Sequence, residues 1–239
     1  MTLEMPEAIE VYHFYQFIKR NLTKSPFRIE IISGRFVKKT PEHFDEYIRN
    51  KSLILKNIFI KGKTIFFRFE QVSVAIVHGM SGSWSDEQTK HARLRFGNLF
   101  FNDTRSFGKM IVFTSEESFL TEFNRLGPHV LDFPIQETLF ERLIKKKNVP
   151  IGAVLLDQTV IAGIGNYLRC DILWKCKTHY ATPVKNVDLD ALFDAIVYCL
   201  NYHLHDGTFL VYMQDVDPDG KTVYRTKFRG RTVHSVYEN

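Results

Sequence analysis

Between two apolar stretches with helical spacing, Gly163-Ile164-Gly165-Asn166 interrupts the chain with paired glycines. Glycine frees the backbone for φ > 0 and for close approach to a ligand. A helix, a glycine turn and a second helix aim backbone N–H groups and a helix N-terminus outward, and both favour an anion such as a phosphate. Basic residues stand at other turns: Lys61-Gly62-Lys63 between two strand-like runs, Lys145-Lys146-Lys147 after a helical run, and Arg229-Gly230-Arg231 in the C-terminal tail. A flexible ammonium or a basic hairpin tip reaches into a groove of nucleic acid. Residue type alone leaves a second reading open for each, as a packed turn or a solvated charged surface. Pro6-Glu7 has an ordinary reading too, as a first helical proline followed by a first-turn acid. His78-Gly79-Met80-Ser81-Gly82, taken alone, is a glycine loop.

The elements that position these groups follow from periodicity. Ala8 to Leu22 has helical spacing and ends before Ser25-Pro26. Short runs rich in Ile, Phe and Val follow, at 28–37, 53–60, 63–70, 72–80, 91–96, 99–102 and 109–113, separated by turn residues. They predict an antiparallel β-sandwich or barrel. The segment 115–132, with Gly127-Pro128, reads as the exit from that domain. Helical spacing returns at 135–147, 151–159, 166–176 and 189–205. The tail, with Asp217-Pro218-Asp219-Gly220, then 221–228 and 232–236, reads as a β-hairpin.

Bulk properties narrow the partner less sharply. The chain has 239 residues and a formal charge of +5, which suits a polyanionic partner and equally suits a mildly basic small-molecule enzyme. Its three cysteines, Cys170, Cys176 and Cys199, form no CxxC pair, so a disulfide framework is not expected and buried thiols are. No signal peptide and no apolar run of membrane-spanning length is evident, which predicts an intracellular, non-secreted protein without a membrane partner.

Five blocks together resemble the formamidopyrimidine-DNA glycosylase/endonuclease VIII family, in that family's order. They are MPEAIEV from Met5, IKGKTIFF from Ile60, HGMSGSW from His78 with KHARLRF from Lys90, LFFNDTRSFG from Leu99, and the helix-two-turn-helix run ending in GIGNYLRCDIL. The resemblance implies an α+β fold: an N-terminal helix and β-sandwich over 1–130, then a helical domain over 131–239 with a β-hairpin finger at about 217–239. Most members pin that finger with a four-cysteine zinc site. Here no cysteine follows Cys199, so no metal and no other cofactor is expected, and the resemblance is to the zincless-finger, endonuclease VIII-like branch.

Residue by residue, the resemblance implies these roles. Pro6 is the amine nucleophile that attacks the sugar C1′, Glu7 the general acid/base, Lys63 the lysine of β-elimination, and Arg231 the finger arginine of δ-elimination. Glu10 lies near the same sugar. Met80, Arg105 and Phe107 fill the gap left when the damaged nucleotide leaves the stack, where an apolar wedge and a planar guanidinium offset part of the few kcal/mol that extrusion costs. From the residues alone, Arg105 could instead pair with Asp103. His91, Arg105, Lys147 and Asn166 contact DNA. Gly152 stands where the family often has a lysine.

The function expected is a bifunctional DNA glycosylase and abasic-site lyase of base excision repair, acting as a monomer on duplex DNA that carries oxidised or abasic sites, with oxidised pyrimidines preferred. Met1-Thr2-Leu3-Glu4 precede the motif, and an amide nitrogen at Pro6 has no nucleophilicity. A working protein beginning at Pro6 is therefore expected. Otherwise the reading is a non-catalytic reader of lesions or abasic sites. A third reading is a structural RNA-binding protein built on the same turn.

Overall fold

Residues 6–23, 25–132, 136–205 and 207–238 are described by the computed structural model. The chain forms two compact units, the first ending at Arg125 and the second beginning at Leu126.

The first helix, α1 (Ala8–Asn21), starts at a reciprocal capping box between Glu7 and Glu10 and carries Lys19 and Arg20 in its last turn, complementing the helix dipole at both ends. Val11 and Ile18 are fully buried, and Phe14 packs on the same core. One sheet then has the order β1 (Ile29–Ile31), β6 (Ala92–Phe96), β7 (Leu99–Asp103), β5 (Gly82–Ser85), all antiparallel. The other has β2 (Leu55–Lys61), β3 (Thr64–Phe69), β4 (Ser73–Val77), β8 (Lys109–Phe113), likewise antiparallel. Alternate residues point inward. Ile65, Phe67 and Phe69 of β3 thus meet Phe96 and Phe101 of the opposite sheet in one core, with the Phe67 and Phe96 ring centroids 4.8 Å apart. Burying one such ring stabilises the fold by roughly 1.5–3 kcal/mol.

Three sequence expectations change in this unit. The run 28–37 is a strand only over β1, then turns at Gly34 (φ +76) into the short helix α2 (Arg35–Lys38). The left-handed φ there is what glycine permits, and a Cβ at Gly34 would also lie 2.7 Å from the Arg93 side chain. The glycine loop from His78 leads into β5, which pairs with β7 and buries Trp84. The segment expected as a mere exit contains α4 (Glu116–Arg125), whose Phe119 and Phe123 cover Phe59 and Phe66 on the outer face of the second sheet. A further short helix, α3 (Phe44–Tyr47), was not foreseen either.

In the second unit α5 spans Gln136–Lys145, and Ile135, expected to open it, lies outside the described residues. The helix expected over 151–159 is a single turn, α6 (Ile151–Val154). Asp157 stops it by accepting both the Thr159 N–H (3.0 Å) and its hydroxyl (2.6 Å), a local alternative to helical bonding. Gln158 then holds the loop, accepting from Gly163 N–H and donating to Ile164 O. Of the two glycines, Gly163 has φ +119, whereas Gly165 is an extended N-cap (φ −121) that other residues adopt freely. The next helix, α7 (Asn166–Lys175), is buried on every side from Asn166 to Leu173, which is why its sequence lacks an amphipathic stripe. It packs on α8 (Leu189–His205) and the hairpin β9 (Tyr224–Phe228)–β10 (Arg231–Ser235). The hairpin turn is Arg229-Gly230, both at positive φ, as a two-residue turn of that twist requires.

Candidate active site

Pro6 is buried and Glu7 has no exposed surface, at the head of α1. The Glu10 carboxylate, expected near the sugar, accepts the Glu7 backbone N–H at 2.8 Å and so fixes where the helix begins. Met1 to Met5, whose removal the expected start at Pro6 requires, lie outside the described residues. Phe14 lies two turns beyond Glu7 on the same helical face. Its ring stacks on His78 at 5.3 Å, 17° from parallel.

Lys63 is the second residue of the two-residue turn joining β2 and β3, and Gly62 (φ +60) supplies the left-handed conformation there. Its side chain is half-buried. Lys61, two positions earlier, is committed to the fold: its Nζ donates to Phe123 O at 2.9 Å and sits 4.1 Å from the Phe123 ring centroid. Neither Lys61 nor Lys63 is therefore interchangeable with the other. His78 adjoins the Lys63 turn, with Nδ1 3.3 Å from Lys63 O, and Trp84 Nε1 donates to its Nε2 at 3.0 Å. Burial pulls His78 down to about 4, against smaller opposing effects of the Lys63 carbonyl and Asp103. A neutral ring that accepts at Nε2 must carry its proton on Nδ1.

Met80 is half-buried, while Arg105 and Phe107 are exposed, Phe107 by 49%. The ion pair of Arg105 with Asp103 left open by the sequence is not what forms. The Asp103 carboxylate is taken by Ser81 and by the Gly108 N–H, and the Arg105 guanidinium lies 5.2 Å from the Phe107 ring centroid. His91 is half-buried beside them, and its carbonyl accepts the Asp103 N–H.

The remaining expected residues belong to the second unit. Lys147 is exposed in the turn after α5, and Arg231 is exposed at the start of β10. Asn166 is only 5% exposed: its amide donates to Thr232 O at 2.9 Å, and its oxygen accepts from Arg169 at 2.5 Å. Its side chain thus ties the head of α7 to the residue that follows Arg231. A lysine at Gly152, which the resemblance leads one to expect, would place its Cβ 2.8 Å from Tyr180 O, so the local packing would have to shift. The Gly152 carbonyl accepts from Arg169.

Four residues outside the expected catalytic and DNA-binding set hold these parts: His78, Asp103, Arg169 and Asp171. The buried Asp171 carboxylate accepts from His203 Nε2 (2.9 Å) and from the N–H groups of Leu210, Val211 and Tyr212. It thereby anchors the segment that leads to the hairpin. An arginine and an aspartate within an otherwise apolar helical run were the available signal, since buried charges must be paired.

The hairpin does not fit a four-thiolate zinc site. The three cysteines sit on or beside α7 and α8, and Cys170 Sγ instead accepts the His234 N–H at 3.4 Å. Met213 N–H donates to His234 Nδ1, and Trp174 Nε1 to Asp217, so buried side chains pin this region. Burial, with Arg225 adding to it, holds His234 below its usual value. Among the described residues no helix is long and apolar enough to cross a membrane.

Residues 5–110 match the formamidopyrimidine-DNA glycosylase N-terminal domain, and residues 126–211 match the formamidopyrimidine-DNA glycosylase H2TH domain. The formamidopyrimidine-DNA glycosylase of Ligilactobacillus salivarius is 30% identical over 200 residues, covering 77% of this chain and 70% of that protein. That of Lactobacillus johnsonii is 28% identical over 248 residues, covering 97% and 81%. Among solved structures, the Lactococcus lactis Fpg bound to abasic-site DNA has a TM-score of 0.80 at 20% identity, covering 96% of this chain and 97% of the other. MutM bound to DNA containing carbocyclic 8-oxo-G has the same TM-score at 22% identity and the same coverage. These likenesses agree with the α+β expectation of a β-sandwich with an N-terminal helix, a helical H2TH domain and a C-terminal hairpin.

Proposed function

The chain belongs to the formamidopyrimidine-DNA glycosylase family, and from that premise we propose that it is a bifunctional DNA glycosylase and abasic-site lyase of base excision repair. Its substrate is duplex DNA carrying an oxidised base or an abasic site. The observation that carries the reading is the head of α1: a proline and a fully buried carboxylate at a fixed helix start, linked by Phe14 and His78 to the turn that bears Lys63.

The chemistry needs Pro6 as the first residue of the working protein. A terminal proline is a secondary amine with a pKa of roughly 8, so a useful fraction is unprotonated at neutral pH. Its nitrogen lone pair forms a bond to C1′ as the N-glycosidic bond breaks; the bonding electrons leave with the base, which takes up the proton that the Pro6 nitrogen gives up. Opening of the sugar, with Glu7 supplying the proton to the ring oxygen, gives an iminium. That iminium acidifies the C2′ proton, whose removal expels the 3′ phosphate; Lys63 assists at this step. Loss of the 5′ phosphate follows in δ-elimination, with Arg231 stabilising the departing charge. Met80, Arg105 and Phe107 occupy the vacated stack, and His91 and Lys147 contact the DNA backbone. Asn166 is a further DNA contact in this reading, and its side chain also holds the finger through Thr232 O.

The test uses protein starting at Pro6, an abasic oligonucleotide and borohydride. A covalent protein–DNA adduct is expected; its absence removes the lyase. If intact mass of the natural protein shows Met1 to Glu4 retained, tight salt-dependent binding without cleavage remains.

The finer reading is the zincless, endonuclease VIII-like branch, supported by GIGNYLRCDIL and by the lack of cysteine beyond Cys199. With it goes a preference for oxidised pyrimidines and hydantoins over 8-oxoguanine. Excision from matched duplexes of thymine glycol and 8-oxoguanine decides this, and faster removal of 8-oxoguanine reverses it.

A further inference from the structure

Met80 and the pair Arg105 and Phe107 come from two loops more than twenty residues apart in the chain. One carboxylate holds both loops. Asp103 Oδ1 accepts the Ser81 hydroxyl at 2.5 Å, gripping the Met80 loop, and Oδ2 accepts the Gly108 N–H at 2.6 Å, gripping the end of the Arg105–Phe107 loop. The same Ser81 Oγ accepts the Arg105 N–H at 2.8 Å. Asp103 is 1% exposed, and its own backbone is tied down by the His91 carbonyl and by Arg93 Nε, which donates to Asp103 O at 2.8 Å.

The backbones also interlock. Gly79 (φ +64) presses on the Phe107–Gly108 peptide, where a Cβ would lie 2.7 Å from the Phe107 carbonyl carbon. Gly82 lies against the His78 carbonyl, so the Met80 loop closes tightly on itself. Charge-assisted hydrogen bonds of this length in a buried site are roughly twice as strong as neutral ones.

We propose that Ser81 and Asp103 are positioning residues that fasten Met80, Arg105 and Phe107 into a single wedge, which enters the duplex as one body. The inference rests on the glycosylase/lyase reading, in which those three side chains fill the vacated stack. Ser81 and Asp103 touch neither the sugar nor the base. The hydroxyl of Ser81 is what couples the loops: without it Asp103 keeps only the Gly108 end, and Arg105 N–H loses its acceptor. Coupling matters only where there is a stack to fill and an orphaned base to meet. Duplex substrates therefore depend on the latch, and a single strand, which offers no partner base, does not.

The experiment compares cleavage of one abasic site in duplex and in single-stranded DNA by the full chain starting at Pro6. Ser81→Ala is expected to lower duplex cleavage about tenfold, the size of one hydrogen bond to a charged group, while single-strand cleavage stays within about twofold of wild type. Asp103→Asn, whose NH2 cannot accept the Gly108 N–H, should show the same split, and the double variant should lose no more than either single, because loss of either grip already unfastens the two loops from each other. Equal losses on both substrates, no loss on either, or multiplied losses in the double variant would each overturn the latch. Wild-type protein inert on both substrates would instead remove the lyase reading on which it rests.

Discussion

The imidazole of His78 and the backbone of Lys63 are joined by a hydrogen bond, Nδ1 to O at 3.3 Å, while Trp84 closes the other ring nitrogen. The same ring stacks on Phe14 of α1, so one buried neutral histidine ties the helix bearing Pro6 and Glu7 to the lysine turn. Its folded value, about 4, lies below the ordinary 6.5. The unfolded chain therefore binds the proton more readily, and stability is fully present above about pH 6.5 and is lost as the pH falls towards 4. Over that whole window the loss is on the order of 3 kcal/mol. Urea unfolding at pH 7 and pH 5 should show a steeper decline for the wild type than for His78→Gln. Equal declines would remove His78 as the source.

Glu7→Gln separates capping from proton transfer. A glutamine oxygen still accepts at the helix start, so the melting temperature should hold. The general acid/base of the proposed mechanism is gone, and base excision should slow on the order of 100-fold. Retained excision by the Gln variant would exclude Glu7 from proton transfer.

Gly152→Lys installs the lysine that the resemblance leads one to expect at this position. The new Cβ would meet Tyr180 backbone and side chain at 2.8–2.9 Å, and the Gly152 N–H bond to Tyr180 O would have to shift. Overpacking of this kind costs about 1–3 kcal/mol. Chemical denaturation should record that loss, and a stable variant with tighter DNA binding would show that the site relaxes freely.

Arg169→Met leaves the Asn166 oxygen and Gly152 carbonyl without their guanidinium donor. Each buried acceptor so orphaned costs about 1–3 kcal/mol. The Asn166 grip on Thr232 should loosen, with faster amide exchange in β9 and β10. Products of abasic cleavage should shift from δ- towards β-elimination as Arg231 loses its fixed base. Unchanged exchange together with an unchanged product ratio would contradict the linkage.

Much of the architecture was legible in the chain. Alternation of Ile, Phe and Val marked the sheet strands, and Asp217 to Gly220 with Gly230 marked the tail hairpin, because period and turn chemistry depend on near neighbours. The short helix α6 was not, since Asp157 competes for backbone groups that periodicity alone assigns to a helix. Strand β5 was hidden in a glycine loop, because only pairing with β7 makes Gly82–Ser85 extended.

The sequence by itself determined which residue types were available for amine, carboxylate and phosphate chemistry, and in what order they appear, because composition and local spacing are properties of the chain. Only the tertiary structure decided which of them work together. His78 with Lys63, Ser81 with Asp103, and Arg169 with Gly152 are joined by directional hydrogen bonds. Burial there makes an unmatched polar group costly, and the partners are chosen by packing that brings separate segments to within 3.3 Å. The same packing turned Asn166 inward and left Arg231 exposed, a difference that neither residue type nor local spacing contains.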